Sequence, residues 1–324
     1  MCLCVYVIQW NGNGAKKGGK MDEIAKQNSP PALPEAFTDY SRYIDAGENT
    51  LRTYTGNLRQ FAKWLYASGI DQPQREDILA YKEELKSRLK PSTVQNYITA
   101  LRLFFSWTAQ RGIYPNIADH IKGAKLDSAH KKDYLTSAQA KDLLHSIERK
   151  TARGKRDFAI ISLMLTCGLR DIEVSRADNS DLRQIGDTTV LYIQGKGRED
   201  RTEYVKVVPE VEKALREYLK TRKKGQKALF TSLSNNNKGG RLTARSISGI
   251  VKQRLVSAGY DSERLTAHSL RHTAVTLSLI GGLPLDEVQQ FARHHNIATT
   301  QIYAHNLERL KNRSEETIAN SIFN

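Results

Sequence analysis

Cysteine is scarce in this chain of 324 residues, which contains only Cys2, Cys4 and Cys167. So few thiols, so far apart, cannot form a disulfide framework, and Cys2 and Cys4 do not have the spacing of metal ligands. Long apolar runs are missing as well, because none approaches the roughly 18 residues that suggest a membrane span. The sequence therefore argues against a disulfide-rich secreted protein and predicts a cytoplasmic one with no membrane partner.

Acidic residues are also in short supply. Lys and Arg number 50 against 35 Asp and Glu, which gives a formal net charge of +15 and a pI of about 9.6. A hydrophobic content of 39% and a length of 324 residues favour a globular protein of two domains. A cationic excess of this size favours a polyanionic partner such as nucleic acid, although a basic surface without a ligand explains the charge equally well.

The first 34 residues show no periodicity typical of a folded domain. The apolar opening M-C-L-C-V-Y-V-I-Q-W has no basic segment before it, and the polar stretch N-G-N-G-A-K-K-G-G-K follows it. This order is unlike that of a signal peptide. We expect residues 1–34 to be a flexible, disordered leader, of which residues 1–20 are dispensable or precede a true start at Met21.

Helical periodicity begins at Glu35 and predicts an all-helical domain of four or five helices over residues 35–123. Asn49 is the expected N-cap of its second helix, and Pro91 opens the fourth. Lys90, Ser92 and Thr93 surround the N-terminus of that fourth helix. An ammonium, two hydroxyls and backbone N–H groups at such a place can bind phosphate, so these three residues are candidate DNA contacts.

Residues 124–134 are polar and aperiodic, and we interpret them as a linker to a second domain over residues 135–311. Thr136 or Ser137 is expected to cap its first helix. Two segments rich in β-branched residues flank the turn G-K-G-R-E-D and predict a hairpin: Thr189–Ile193 and Glu203–Val208. Helices are expected over 158–166, from Glu210 and from Ser246. The predicted fold class is mainly α with a small antiparallel β-sheet.

Two motifs of the second domain carry cations next to glycines. In G-L-R-D-I-E, Arg170 follows the end of a buried helix, and Glu173 lies one turn on, where it can pair with the guanidinium. In G-K-G-R, Lys196 lies between two glycines that allow a ligand to approach closely, and Arg198 is a candidate DNA contact. Each motif alone is explained as well by an ordinary surface ion pair or a solubilising turn.

Two further motifs add histidines and a tyrosine. In H-S-L-R-H, His268 and Arg271 share a helix face, and they precede a run that is apolar enough to be buried. His268 and His272 have a spacing compatible with zinc, but the glutamate of H-E-x-x-H and a third ligand are missing. Tyr303 follows His294 by nine residues, in a context that also suits a core aromatic residue.

Together these residues can cleave a phosphodiester without a metal. Two guanidiniums can neutralise the oxygens of a pentacoordinate phosphorus, and a lysine can protonate the departing 5′ oxygen. Histidines can exchange protons near neutral pH, and a tyrosine can form a phosphodiester that is later attacked again. The helix expected after Thr273 would hold His268 and Arg271 in place for this chemistry.

The four motifs make the chain resemble the tyrosine recombinase (phage integrase) family over nearly all of residues 35–305. The resemblance is densest in G-L-R-D-I-E, G-K-G-R, A-H-S-L-R-H-T and H-H-N-I-A-T-T-Q-I-Y-A-H. It implies a catalytic set in which Tyr303 is the nucleophile and Lys196 the general acid, completed by Arg170, Arg271, His268 and His294. Glu173 matches the family's supporting acidic residue. The chain departs from the family's Leu-Gly-His at Ala292-Arg293-His294, where an arginine makes the turn bulkier and more basic.

The resemblance also implies a fold and partners. A helical, SAM-like N-terminal domain and a catalytic domain would clamp double-stranded DNA between them. Four identical protomers would assemble on DNA by exchange of the C-terminal tail over 312–324, with an accessory directionality factor as a possible further partner. No cofactor, ATP or metal is expected, and the enzyme would be associated with the nucleoid when bound.

Several functions stay open at this stage. A recombinase of a mobile element and a resolvase of chromosome or plasmid dimers share the same chemistry, and a type IB topoisomerase differs in needing no second duplex. A catalytically idle DNA-binding protein is disfavoured because the catalytic set is complete. A metal-dependent nuclease is disfavoured because the sequence has no paired acidic motif.

Overall fold

The computed structural model describes residues 33–125, 133–195, 200–311 and 313–323. The chain divides into two compact units, residues 1–127 and 128–324. Most of the expected leader over 1–34 and of the expected linker over 124–134 lies outside the described residues. In the described ranges, no helix combines the length and apolar character needed to cross a membrane. The predicted fold class, mainly α with one small antiparallel sheet, is confirmed.

The first unit contains four described helices: α1 (Leu33–Tyr43), α2 (Glu48–Ala67), α3 (Arg75–Arg88) and α4 (Pro91–Gln110). The predicted cap at Asn49 is wrong, because α2 begins one residue earlier and its N-cap is Gly47. Helix α4 begins at Pro91 as predicted. Proline suits this first helical position, where its missing N–H has no partner to lose and its φ is already helical.

Aromatic side chains fill the core of the first unit. Phe61, Tyr81, Phe104 and Phe105 are fully buried. The ring centroids of Phe61 and Tyr81 lie 5.1 Å apart, as do those of Phe104 and Phe105. Each such ring removes a large apolar area from water. This packing holds α2, α3 and α4 together and so fixes the N-terminus of α4, where the candidate DNA contacts lie.

The second unit alternates helices with one sheet. Its elements are α5 (Ser137–His145), α6 (Ala152–Cys167), α7 (Asp171–Arg176), β1 (Leu182–Ile185), β2 (Thr188–Ile193), β3 (Glu203–Lys206), α8 (Pro209–Leu219), α9 (Ala244–Ser257), α10 (Ala267–Ile280), α11 (Leu285–Ala292), α12 (Ile297–Lys311) and α13 (Ser314–Phe323). Short 3₁₀ turns lie at Asn179–Asp181 and Asn235–Asn237. Thr136 is the N-cap of α5, since its hydroxyl accepts the N–H of Gln139 at 3.2 Å.

The sheet has three strands in the order β1-β2-β3, and all of its pairs are antiparallel. The predicted hairpin is confirmed as the β2–β3 pair, in which Leu191 lies opposite Val205. Strand β1 was not predicted from the sequence. Its side chains are mostly exposed, so the strand lacks the apolar alternation that would have revealed it.

Helix α6 forms the centre of the second core. Ile160, Ile161 and Leu163 are fully buried in it. Helix α10 packs against α6 and is joined to the start of α5, because the Thr273 hydroxyl accepts the N–H of Leu135 at 2.9 Å. The side chains that α10 carries are therefore held by the interior of the unit.

Candidate active site

A left-handed turn at Gly168 connects the core helix α6 to the site. Gly168 has a φ of 58°, a conformation that glycine adopts readily, and a Cβ there would lie 3.2 Å from the ring of Phe291. The turn places Arg170 at the N-cap of α7. The backbone of this segment is thus fixed by both its conformation and its surroundings.

Glu173 is the buried carboxylate of the site. Its Oε1 accepts a hydrogen bond from Arg170 Nη1 at 2.9 Å, and its Oε2 accepts the Arg170 N–H at 2.9 Å and Arg293 Nη2 at 3.0 Å. Burial raises the pKa of Glu173, but the guanidiniums of Arg293 and Arg170 outweigh burial and hold this pKa below its usual value. Glu173 is therefore an anion at neutral pH, and the pairing with Arg170 predicted from their spacing is present.

Arg271 extends from α10 with a side chain that is almost fully enclosed, since the residue is 2% exposed. Its Nη1 donates to the carbonyl oxygen of Gly168 at 2.6 Å, and its Nη2 donates to that of Ala292. Burial, followed by the charges of Arg170 and Arg293, lowers the pKa of Arg271. A guanidinium titrates so far above neutrality that this one keeps its charge.

The rings of His268, His272 and Tyr303 form a row, each next to the following one. The centroids of His268 and His272 are 4.8 Å apart, and those of His272 and Tyr303 are 5.0 Å apart. His268 is exposed, whereas His272 is buried. The His272 ring thus lies in the interior, and its neighbour there is the candidate nucleophile.

Tyr303 lies on α12, which begins at Ile297. Tyr303 is 6% exposed and belongs to an apolar cluster with Val275, Val288 and Ala292. Burial raises the pKa of the Tyr303 phenol, and the charges of Arg271 and Arg170 offset only part of that rise. The tyrosine is consequently a core residue and, at neutral pH, a protonated phenol close to two guanidiniums.

His294, the first of two consecutive histidines, lies beside the candidate nucleophile. Its ring stacks on that of Tyr303 with 6.1 Å between centroids, and its Nδ1 shares a 2.9 Å hydrogen bond with the Thr300 hydroxyl. His295, by contrast, is exposed. Burial, followed by the charges of Arg271 and other nearby cations, lowers the pKa of His294 to about 4. The ring is therefore neutral at physiological pH.

This shift predicts a measurable dependence of stability on pH. Between pH 6.5, where an unperturbed histidine titrates, and about 4, the unfolded chain binds a proton at position 294 that the folded chain does not. The free energy of unfolding should therefore fall as the pH is lowered through this window. We expect the free energy of unfolding, measured by urea at pH 6.5 and at about 4, to fall less for His294→Gln than for wild type. His295→Gln is the control and should show the same fall as wild type. Equal slopes for wild type and His294→Gln would contradict the shift.

Arg293 is a site residue whose contacts the sequence did not predict. It ends α11 in the left-handed region, with a φ of 54° and a ψ of 46°, which costs a non-glycine residue about 1 to 2 kcal/mol. Its side chain is 9% exposed and contacts Glu173. The sequence flagged only a bulkier and more basic turn. Thr300 was also missed, although it lies three residues before Tyr303 and so on nearly the same helix face.

The remaining predicted residues lie in the first unit or outside the described residues. Lys196 and Arg198 are outside the described residues, although the preceding Gly195 is held by a 3.1 Å hydrogen bond from Arg176 Nη1 to its carbonyl oxygen. Lys90, Ser92 and Thr93 are exposed in the first unit. The N–H groups of Thr93 and Val94 already bind the carbonyl oxygen of Lys90, so the exposed side chains are the better phosphate ligands there. No group of three or more His, Cys, Asp or Glu in the described ranges is placed to hold a metal.

Comparison with known proteins assigns both units. Residues 133–309 match the profile described as "Phage integrase family", and residues 33–114 match "Phage integrase, N-terminal SAM-like domain". The chain is 30% identical to the tyrosine recombinase XerC of Caldanaerobacter subterraneus subsp. tengcongensis, over 85% of this chain and 83% of that protein. It is also 30% identical to the tyrosine recombinase XerD of Caulobacter vibrioides, over 80% of this chain and 87% of that protein.

Solved structures show the same fold. The XerH site-specific recombinase bound to a palindromic difH substrate in a post-cleavage complex is 22% identical, with a TM-score of 0.69 over 92% of this chain and 86% of that one. The Tn1549 transposon integrase in complex with transposon right end DNA is 20% identical, with a TM-score of 0.65 over 87% of this chain and all of that one (100%).

Proposed function

The chain belongs to the phage integrase family of tyrosine recombinases, and from this premise we propose how its residues break and rejoin DNA at specific sites. The observation that carries the assignment of roles is the surroundings of Tyr303. The rings of His272 and His294 lie beside it, His268 lies next to His272, and the charges of Arg271 and Arg170 act on its phenol. A buried phenol surrounded by this much positive charge suits attack on a phosphodiester. The roles of the individual residues are part of the proposal.

In the proposed reaction the Tyr303 oxygen attacks the scissile phosphorus and loses its proton. The bond from phosphorus to the 5′ oxygen breaks, so a 3′-phosphotyrosine forms and a 5′-hydroxyl strand end departs after taking up a proton. Arg170 and Arg271 bind the phosphate oxygens, whose charge grows in the transition state. Rejoining is the reverse attack by a 5′-hydroxyl. The bond energy stays in the phosphotyrosine, so neither ATP nor a metal is needed.

We assign proton transfer to the imidazoles and Lys196, and contacts with the DNA backbone to further basic and hydroxyl side chains. Because Tyr303 is protonated, a proton acceptor assists its attack, and we assign this role to the neutral His294 or to His268. The hydrogen bond that His294 Nδ1 shares with the Thr300 hydroxyl leaves Nε2 as the nitrogen that acts on a substrate oxygen. Lys196 would protonate the 5′ oxygen. Arg198, together with Lys90, Ser92 and Thr93, would contact the DNA backbone.

The biological setting is a separate part of the proposal, because integration and dimer resolution share the same chemistry. We propose integration and excision of a mobile element in the cytoplasm, on nucleoid DNA and with a possible accessory directionality factor. Resolution of chromosome or plasmid dimers is the alternative, which the names XerC and XerD of two relatives support. Integration is supported by the name of another relative, a putative integrase/recombinase of Sinorhizobium fredii. It is 26% identical over 87% of this chain and 70% of that protein.

Recombination between two copies of a site tests this function. Plasmids carrying two copies of a candidate site should yield deletion or inversion products in the absence of Mg²⁺, and plasmids with one copy should not. Relaxation of a one-site plasmid without any exchange would instead support a topoisomerase. DNA binding without cleavage at any site would support the idle binder.

The C-terminal helix α13 supports the proposed homo-tetramer. None of its residues is buried, and its apolar side chains Ile318, Ile322 and Phe323 are exposed. Phe323 is 83% exposed. A second protomer on DNA would cover this surface by receiving the tail.

Replacing Ile322 and Phe323 together with Asp should separate assembly from chemistry. We expect binding of one protomer to one half-site to stay within about two-fold of wild type. Cooperative binding of further protomers should weaken by at least about tenfold, because apolar anchors dominate such contacts. Gel-shift titrations on one and two half-sites measure both quantities. Tyr66→Ser is the control, since Tyr66 is 84% exposed but lies in the first unit. Unchanged cooperativity in the double variant would refute tail exchange.

A further inference from the structure

Arg293 directs its guanidinium into the protein and not toward the solvent. Nη1 donates to the carbonyl oxygens of Phe291, at 3.0 Å, and Cys167, at 3.4 Å. Nη2 donates to the carbonyl oxygen of Gly168, at 3.2 Å, and to Glu173 Oε2, at 3.0 Å. These contacts cross from the end of α11 to the end of α6 and to α7, so a single side chain ties together three elements that border the site.

Two of these acceptors also anchor the proposed phosphate-binding arginines. Glu173 holds Arg170 through both its guanidinium and its backbone N–H. The carbonyl oxygen of Gly168 holds Arg271. Arg293 binds Glu173 and the Gly168 carbonyl with the same nitrogen, Nη2. If Arg293 were displaced, Glu173 and the Gly168 carbonyl, which hold Arg170 and Arg271, would both lose a hydrogen bond.

Exposure distinguishes Arg293 from Arg170 but not from Arg271, which is 2% exposed. The Arg170 side chain is 28% exposed and can reach a bound phosphate, whereas that of Arg293 is 9% exposed and donates with both terminal nitrogens, Nη1 and Nη2, to protein acceptors. Arg271 differs from Arg293 in another way, because the charges that lower the pKa of the Tyr303 phenol are those of Arg271 and Arg170. Resting on the function proposed above, we propose that Arg293 is a positioning residue, which fixes Glu173 and the Gly168 carbonyl so that Arg170 and Arg271 converge on the scissile phosphate. It acts through these groups and does not bind DNA.

Replacing Arg293 with glycine removes the guanidinium and keeps the backbone. Glycine adopts a φ of 54° without strain, so the turn before His294 should persist. We expect single-turnover cleavage of a nicked duplex to slow by roughly 10- to 100-fold, as small misplacements of reacting groups do. The Kd for DNA should stay within about two-fold. Arg293→Lys, which keeps one cation but lacks the fork, should recover part of the rate.

Coupling to Glu173 tests the route by which Arg293 acts. If Arg293 works through this carboxylate, Arg293→Gly combined with Glu173→Gln should cleave little more slowly than Glu173→Gln alone. Arg254→Gln is the matched control, because Arg254 and Arg156 share the buried carboxylate of Asp157 in the same unit. We expect this control to lower the thermal midpoint and to leave the cleavage rate within about two-fold.

The proposal is overturned if Arg293→Gly cleaves at the wild-type rate, if its losses simply add to those of Glu173→Gln, or if DNA affinity falls as much as the rate.

A titration of the Glu173 carboxyl by ¹³C NMR in the DNA-free protein needs no activity, and Glu173→Gln assigns its resonance. Arg293→Gly should raise the Glu173 pKa, because its strongest counter-charge is gone. An unchanged Glu173 pKa overturns the positioning role by itself. A wild type without any DNA adduct overturns the proposed function, whatever the titration shows.

Discussion

Replacing Arg271 with lysine is expected to slow DNA cleavage by at least about 10³-fold, the upper end of what loss of one transition-state donor costs. Arg271 is almost fully buried and uses two nitrogens of its fork on the carbonyl oxygens of Gly168 and Ala292. A lysine ammonium is a point charge and cannot hold both carbonyls while it faces a phosphate. The change therefore disturbs the charge and the geometry together.

Single-turnover cleavage of a nicked duplex measures this loss, with DNA affinity followed in parallel. Arg222→Lys is the control, since Arg222 also binds a backbone carbonyl, that of Leu229 at 2.7 Å, within the same unit. We expect the control to lower stability and leave cleavage near the wild-type rate. Cleavage by Arg271→Lys within about tenfold of wild type, less than the usual cost of one lost donor, would show that Arg271 is not a principal phosphate ligand.

Replacing Tyr303 with phenylalanine should abolish cleavage, a loss of at least about 10⁴-fold, because no other group supplies the bond to phosphorus. The fold should survive. The phenylalanine ring still packs against Val275, Val288 and Ala292, and loss of the hydroxyl should change the free energy of unfolding by no more than about 1.5 kcal/mol.

Urea unfolding and DNA binding show whether the Tyr303→Phe protein is intact, and cleavage of the nicked duplex shows what it has lost. Tyr218→Phe is a suitable comparison, because Tyr218 is a buried tyrosine of the same unit whose hydroxyl accepts the Thr231 N–H at 3.0 Å. It should lose stability and keep activity. Residual cleavage by Tyr303→Phe above the background of protein-free DNA would mean that the nucleophile is another residue.

Local patterns in the sequence predicted the parts of the site that lie on regular elements. The spacing of His268 and Arg271 placed them on one helix, and the β-branched runs predicted the β2–β3 pair. The spacing of Arg170 and Glu173 predicted their ion pair. In each case the relevant partners lie within a few residues or on one continuous face, where helix and strand periodicity alone determines the neighbours.

The contacts that local patterns could not predict join distant segments. Arg293 reaches Glu173 across 120 positions of sequence, through a left-handed turn that an arginine does not favour. The neighbourhood of His272 and Tyr303 depends on how α10 packs against α12. The strand β1 was missed because its exposed side chains carry no apolar signal. The places of Lys196 and Arg198 stay predictions, since both lie outside the described residues.

The most direct test of the central claim is to identify the residue that becomes linked to DNA. Wild-type protein would be incubated with nicked duplexes that carry candidate sites, in the presence of EDTA, and the denatured adduct digested with protease and nuclease for mass spectrometry. We predict a nucleotide attached through its 3′-phosphate to the peptide that contains Tyr303. Attachment at any other residue, or cleavage that requires Mg²⁺ and leaves no covalent adduct, would contradict the account.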